Sequence, residues 1–143
     1  MRDNLRLYPT MTAQIRKWRP DERITRVRNL AMFLTGLFLS RKVHLSLIVR
    51  KWPTAGKVPS LVNRLRRFLD NPRVCVRDYY RPVADSLVGA FQGQPIRLVI
   101  DTTKLGFHSR LTTVSIGYRK RALPLVWSVH QGKKGWIPVK KQI

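Results

Sequence analysis

Acidic residues are scarce in this sequence. The chain of 143 residues has seven Asp and Glu against 29 Lys and Arg, a formal net charge of +22. Glu22 is the only glutamate, and Asp101 is the only acid after Asp85. A folded chain this basic repels itself unless a polyanion neutralises it, and nucleic acid is the usual polyanion. The composition favours a nucleic-acid partner over an acidic membrane or an acidic protein.

Cysteine and long apolar runs are scarce too. Cys75 is the single cysteine, so an intrachain disulfide and a paired Cys/His zinc site are both excluded, and a reducing compartment fits. The most apolar run, Leu30–Leu39, is bounded by Arg28 and Arg41 and is too short to cross a bilayer. We expect a cytoplasmic, nucleoid-associated protein with no membrane partner.

The chain changes character near Gly93. Apolar residues recur with helical spacing before this point, and short β-rich runs follow it. Hydrophobic residues make up 43% of the chain, which is enough for a packed core. We predict an α+β protein with a basic helical DNA-binding region over residues 1–93 and a strand-rich region over residues 94–143.

The helical region is predicted to contain four helices after a loosely held arm or helix in the first twenty residues. Asp21 is the expected N-cap of a helix that starts at Glu22, and Ser40 is the expected N-cap of the next one. Pro82 is expected to kink or split the last helix. The later helices are predicted over residues 43–52, 58–70 and 76–91.

Three strands are predicted after Gly93, over residues 96–101, 111–119 and 122–130. The first is rich in Ile, Val and Leu, which favours a buried strand. The connection around Arg119 is short enough for an antiparallel hairpin. Residues 131–143 are expected to leave the sheet.

The helices over residues 43–52 and 58–70 flank a Pro/Gly turn, a pattern typical of a helix-turn-helix. The outer face of the second helix is expected to enter the major groove, where Asn reads adenine and Arg reads guanine or holds phosphate. A solvated charged surface is the alternative. The expected groove contacts are Asn63, Arg64, Arg66 and Arg67, and the expected backbone anchors are Arg41, Lys42, Lys51 and Lys57.

Asp101 stands at the end of the predicted strand "RLVID". The serines have no G-x-S-x-G context, and no glycine-rich phosphate loop is present, which leaves metal-assisted phosphoryl transfer as a candidate chemistry. A carboxylate held on a strand suits a bridging ligand for hard ions such as Mg²⁺. The alternative is an aspartate that only caps the loop after the strand.

The segments "LVIDTTKL" and "TVSIGYRKRALPLVWSVH" resemble the start of the catalytic core of insertion-sequence transposases of the DDE type, and "VPSLVNRLRRFLDN" resembles their helical N-terminal part. The resemblance covers the chain from about Arg41 onward. It implies a ribonuclease-H-like fold whose first three strands are present here, with Asp101 as the first catalytic aspartate and a ligand of Mg²⁺. The parent activity is metal-dependent DNA cleavage and strand transfer on transposon ends.

The sequence departs from that family after Asp101, because no further Asp or Glu follows. The family's second aspartate and its glutamate therefore have no counterpart. We expect an N-terminal fragment, from a truncated, split or decayed gene, which binds double-stranded DNA but neither cleaves it nor holds Mg²⁺ stably alone. Its sheet would have an open edge and an uncovered apolar face, to be completed by a downstream polypeptide or another transposase subunit.

Two alternatives stay open at this point. One is a stand-alone basic DNA-binding regulator that inhibits a full-length transposase by occupying its sites. The other is an RNA-binding or ribosome-associated protein, which the lack of aromatic RNA-stacking motifs disfavours.

Overall fold

A computed structural model describes residues 3–106 and 108–131 and shows an α+β protein. Within that part of the chain, five helices precede a three-stranded antiparallel sheet, and no helix is long and apolar enough to cross a membrane. The predicted departure from the sheet falls on residues 132–143, outside the described part. The helices are α1 Asp3–Trp18, α2 Ile24–Ser40, α3 Leu45–Val49, α4 Val58–Leu69 and α5 Val76–Gly89; the strands are β1 Leu98–Leu105, β2 Ser109–Tyr118 and β3 Arg121–Gln131.

The chain divides into two compact units, Met1–Tyr79 and Tyr80–Ile143, called here the helical unit and the sheet unit. The change from helix to strand comes later, between Gly89 and Leu98. The sequence-based boundary near Gly93 lies in that interval and stays a prediction.

The core of the helical unit lies between α2, α3 and α4. Leu61, Leu65 and Phe68 recur with helical spacing on α4 and are buried against Ile48 and Trp52. Pro59 occupies the first turn of α4, where its missing N–H breaks no helical hydrogen bond. The amphipathic pattern alone therefore positions the inner face of α4, and its remaining residues face outward.

Helix α1 is an integral part of this unit and more than the expected arm. Ile15 of α1 is buried in a second cluster with Val27 and Ala31 of α2. At its other end, the Asn4 side-chain amide donates to the carbonyl oxygen of Trp52 at 3.3 Å. Apolar contacts and this anchor together fix α1 along most of its length.

Two helix starts differ from the sequence-based expectation. The N-cap of α2 is Arg23 and not Asp21, so the helix starts at Ile24 instead of Glu22, and the Glu22 carboxylate accepts the Arg23 N–H at 2.8 Å. Ser40 ends α2 instead of capping α3, whose N-cap is His44.

Helix α3 is also shorter than expected. It spans five residues, because the backbone tightens into three-residue turns after it: the Lys51 N–H bonds to the Ile48 carbonyl and the Trp52 N–H to the Val49 carbonyl. Helix α5, by contrast, is a single helix with Pro82 inside it.

The strands lie in the order β1-β2-β3, all antiparallel, which confirms the predicted three-stranded arrangement. Strands β2 and β3 join through Arg119 and Lys120, both with positive φ (45° and 63°), as a two-residue type I′ hairpin requires. Within the sheet unit, the Tyr80 hydroxyl donates to the Pro124 carbonyl at 2.6 Å and its ring meets Trp127 edge to face.

The expectation of a buried first strand is wrong. Ile100 is 71% exposed and Leu98 is 57% exposed. Strand β1 pairs with β2 alone, so one of its backbone edges is free in the described part of the chain. Its apolar composition predicts a strand correctly but does not determine what covers it.

Candidate nucleic-acid interface

The outward face of α4 presents three of the predicted DNA contacts to solvent. Asn63, Arg66 and Arg67 are exposed and line a shallow groove together with Ser60 and Asp70. They are exposed because the buried residues of α4 occupy its opposite face. The groove has amide and guanidinium donors, which suit base edges and phosphates, while Asp70 adds one negative charge at its C-terminal end.

Arg64, the fourth predicted contact, has a different environment. Its side chain is only partly exposed, and its Nε donates to the Asn29 side-chain oxygen of α2 at 3.0 Å. The guanidinium also lies over the Trp52 ring, 5.7 Å from the centroid. These contacts tie Arg64 to the packing of α4, so its predicted role in reading bases has less support than that of Arg66 or Arg67.

The four predicted backbone anchors are exposed and lie at helix ends. Arg41 is the left-handed C-cap of α2, with φ 51°, and Lys42 follows it. Lys51 follows α3, and Lys57 is the N-cap of α4. Lys51 and Lys57 therefore lie near the two ends of the turn between α3 and α4, whereas Arg41 and Lys42 lie in the turn between α2 and α3.

The helical unit carries most of the charge. It contains 18 Lys and Arg against five Asp and Glu, a net charge of +13. In its described part, the ion pairs all use one acid, Glu22, with Arg19 and Arg26. The remaining cations are therefore not neutralised by ion pairs within that part.

Glu22 has a structural role that the sequence-based reasoning did not find. Its side chain is 4% exposed, and it accepts hydrogen bonds from Arg26 and from the Tyr79 hydroxyl, the latter at 2.8 Å. Burial raises the pKa of Glu22, but these hydrogen bonds and that of the Arg23 N–H outweigh burial and lower the pKa below its ordinary value. Burial, with the bond to Glu22, raises the pKa of Tyr79 to about 12. The sequence feature that could have indicated this role is Arg26, which follows the only glutamate by four residues, a spacing that favours an ion pair on a helix.

Asp101 lies in the middle of β1 and not at its end, because pairing with β2 continues the strand to Leu105. The side chain is exposed, opposite Thr113 in the register, and its Oδ2 accepts a hydrogen bond from the Thr103 hydroxyl at 3.2 Å. Among the described residues, no group of three His, Cys, Asp or Glu side chains is placed to hold a metal ion. The residues around Asp101 therefore do not fit a two-metal Mg²⁺ centre.

Comparisons of the chain with protein-family models, curated proteins and solved structures found no match.

Proposed function

We propose that this chain binds double-stranded DNA through α4 and that it is the N-terminal portion of a DDE-type transposase. The observation that carries the DNA-binding proposal is the exposed row of Asn63, Arg66 and Arg67, opposite the buried face of the same helix. The net charge of the helical unit supports it, since a cationic surface favours phosphate backbones before any base is read.

In the proposed complex, α4 lies in the major groove. Its 12 residues extend for about 18 Å, and the major groove is about 12 Å wide, enough to admit a helix. Asn63 is suited to the N6 and N7 of adenine, and Arg66 and Arg67 to guanine or phosphate. Arg41, Lys42, Lys51 and Lys57 contact phosphates and fix the register of the helix.

The segment between α3 and α4, residues 50–57, is longer than the three- or four-residue turn of a compact helix-turn-helix. Trp52 of this segment is buried in the core of the unit. The segment therefore packs as part of the fold, and we assign the helical unit to a helix-turn-helix variant with an extended turn.

The transposase assignment rests on the sequence resemblance and on Asp101. The antiparallel order β1-β2-β3 is compatible with the first three strands of a ribonuclease-H-like sheet. Because the surroundings of Asp101 do not fit a metal centre, no phosphoryl-transfer step is assigned to this chain. We propose that strand cleavage in the parent family requires acids that this sequence lacks.

The test of DNA binding is fluorescence anisotropy with a labelled short duplex at several salt concentrations. Arg66→Gln/Arg67→Gln removes two charges from the groove, and Arg16→Gln/Lys17→Gln removes two exposed charges from α1. We expect the α4 variant to weaken binding by about tenfold or more and the α1 variant to weaken it much less. Equal losses would show that binding is diffuse and would contradict the assignment of α4.

A stand-alone regulator is the second candidate. Two observations favour it: the helical unit has its own buried core, and the described residues offer no three-ligand metal group. Binding to the DNA that flanks the reading frame, relative to random duplex at one salt concentration, tests it. A specificity ratio near one excludes a site-specific regulator. A downstream reading frame with a strand-end Asp and a helical Glu supports the transposase fragment.

A further inference from the structure

One face of the sheet carries a row of basic side chains across all three strands. Lys104 of β1 lies directly opposite Arg110 of β2, and Arg110 lies directly opposite His130 of β3. The neighbouring row on the same face consists of hydroxyl side chains, Thr102, Thr112 and Ser128.

The two rows share a face because side chains alternate along a strand, so residues two apart point to the same side. The Thr102 and Thr112 hydroxyl oxygens are 3.2 Å apart, which places both threonines on one face. Arg110 is two residues from Thr112. Asp101, the only acid among the strand residues, is one residue from Thr102 and therefore belongs to the other face.

Two nitrogen atoms of the basic row are buried without a hydrogen-bond partner among the described residues. His130 is 4% exposed, and within that part of the chain neither its Nε2 nor the Nε of Arg110 has a partner. A buried polar group without a partner is destabilising, because it has lost water and gained no hydrogen bond in exchange. An anion on this face would remove that penalty by accepting hydrogen bonds from both nitrogens.

We propose that the row of Lys104, Arg110 and His130 binds a phosphate group, with the adjacent hydroxyls as further donors. A tetrahedral oxyanion accepts several hydrogen bonds at once, which suits a guanidinium beside a row of hydroxyl groups. The group comes from inorganic phosphate or from a nucleic-acid backbone. In the second case the site extends the DNA footprint to the sheet unit, and only that attribution rests on the proposed function.

The test follows the ring nitrogens of His130 by NMR in the full chain. Inorganic phosphate is titrated against chloride at equal ionic strength, and a short DNA duplex is titrated separately. We expect saturable shifts at His130 with phosphate and no saturable shift at His108, an exposed histidine. Arg110→Gln should weaken phosphate binding by about tenfold or more, since a hydrogen bond to a charged group is lost. Lys120→Gln, at the opposite end of the hairpin, should change it by less than about twofold.

Thr112→Val provides a second variant that keeps shape and charge, and we expect it to weaken phosphate binding by about threefold or more through the lost hydroxyl. Absent shifts at His130 in phosphate, or unchanged affinity in both row variants, overturn the proposal. His130 shifts with phosphate and with duplex assign the site to backbone phosphates; shifts with phosphate alone assign it to free phosphate. The row is intact in Arg66→Gln/Arg67→Gln, so phosphate binding there is independent of whether α4 binds DNA.

Discussion

The two units bury their apolar residues to very different extents. In the helical unit, residues from α1 to α4 form two buried clusters, and Leu65 and Val27 are fully inaccessible. In the sheet unit, Ile116 is the only large apolar side chain of the described residues that is buried to the same degree. One face of the sheet has a row of Ile100, Val114 and Val126 whose outer members are 71% and 51% exposed.

The difference arises because the apolar faces of the helices are buried by neighbouring helices, whereas the faces of the sheet are buried less completely. The helices α1 to α4 each pack apolar residues against neighbouring helices of the same unit. In the described part of the chain, the three-stranded sheet has two faces and two edges without a further strand. Its ring contacts with the preceding segment are those of Tyr80 in α5 with Trp127 and of Phe91, just after α5, with Tyr118. We therefore expect the helical unit to supply most of the stability and the sheet unit to be prone to association.

The largest effect is expected from Leu65→Ala in the helical core. Leu65 is fully buried, so the substitution should lower the free energy of unfolding by about 2–5 kcal/mol. The matched change Ile100→Ala on the exposed sheet face should cost less than about 1 kcal/mol. Urea denaturation followed by circular dichroism measures both. Similar losses would show that the two units are equally well covered.

A second substitution probes the close approach of α2 and α3 within the helical unit. A Cβ atom added at Gly36 would lie 2.5 Å from the Ile48 carbonyl oxygen. Gly36→Ala should therefore destabilise the fold by about 1–3 kcal/mol, although Ala is a better helix former than Gly. Gly89→Ala is the control, because a Cβ there meets no atom within 4 Å. Thermal unfolding compares them, and a neutral Gly36→Ala would contradict the described packing.

Tyr79→Phe tests the network around Glu22. Loss of the charge-assisted hydrogen bond should cost about 1–2 kcal/mol at neutral pH. Because the pKa of Tyr79 is raised, its contribution to the stability of the fold is complete below pH 10, the ordinary pKa of tyrosine. That contribution is lost as the pH rises towards about 12. The lowered pKa of Glu22 gives the opposite pH dependence. The contribution of Glu22 to the stability of the fold is present above pH 4.5 and is lost on acidification.

Unfolding midpoints measured from neutral pH to pH 12 check this prediction. The wild-type chain should lose stability over the alkaline interval more steeply than Tyr79→Phe. Tyr118→Phe, at an exposed tyrosine, is the control and should keep the wild-type profile. Parallel profiles for wild type and Tyr79→Phe would contradict the assigned role of Tyr79.

The smallest effect is expected at the β2–β3 turn of the sheet unit. Arg119 and Lys120 both have positive φ, a conformation that Asn and Gly adopt at lower cost. Arg119→Asn/Lys120→Gly should therefore stabilise the hairpin by about 0.5–1 kcal/mol. Amide hydrogen exchange of β2 and β3 measures the gain, and unchanged protection in the variant would argue against a strained turn.

Sequence patterns predicted α4 and the hairpin well for identifiable reasons. A full apolar stripe, Pro59 in the first turn and the pair Asn71-Pro72 fix the limits of α4 almost completely. The features that the sequence patterns did not predict depend on tertiary contacts. The partners of Arg64, namely Asn29 and Trp52, are 35 and 12 positions away in the chain, so helical spacing alone placed Arg64 beside Arg67.

The same limitation explains the sheet. Ile, Val and Leu in β1 indicate a strand, but its cover and its length depend on neighbouring elements. Pairing of Thr102, Thr103 and Lys104 with β2 extends the strand beyond Asp101 and places that residue in its middle. No local pattern in "RLVID" contains that information.

The contact of Arg64 with Asn29 and Trp52 has a consequence for the energetics of recognition. It fixes α4 on the rest of the helical unit before any partner arrives. In the proposed complex, the recognition helix then loses little conformational entropy on association, and the free energy of the groove contacts is not offset by ordering the protein. In that proposed complex, Arg64 contributes to affinity through preorganisation of α4.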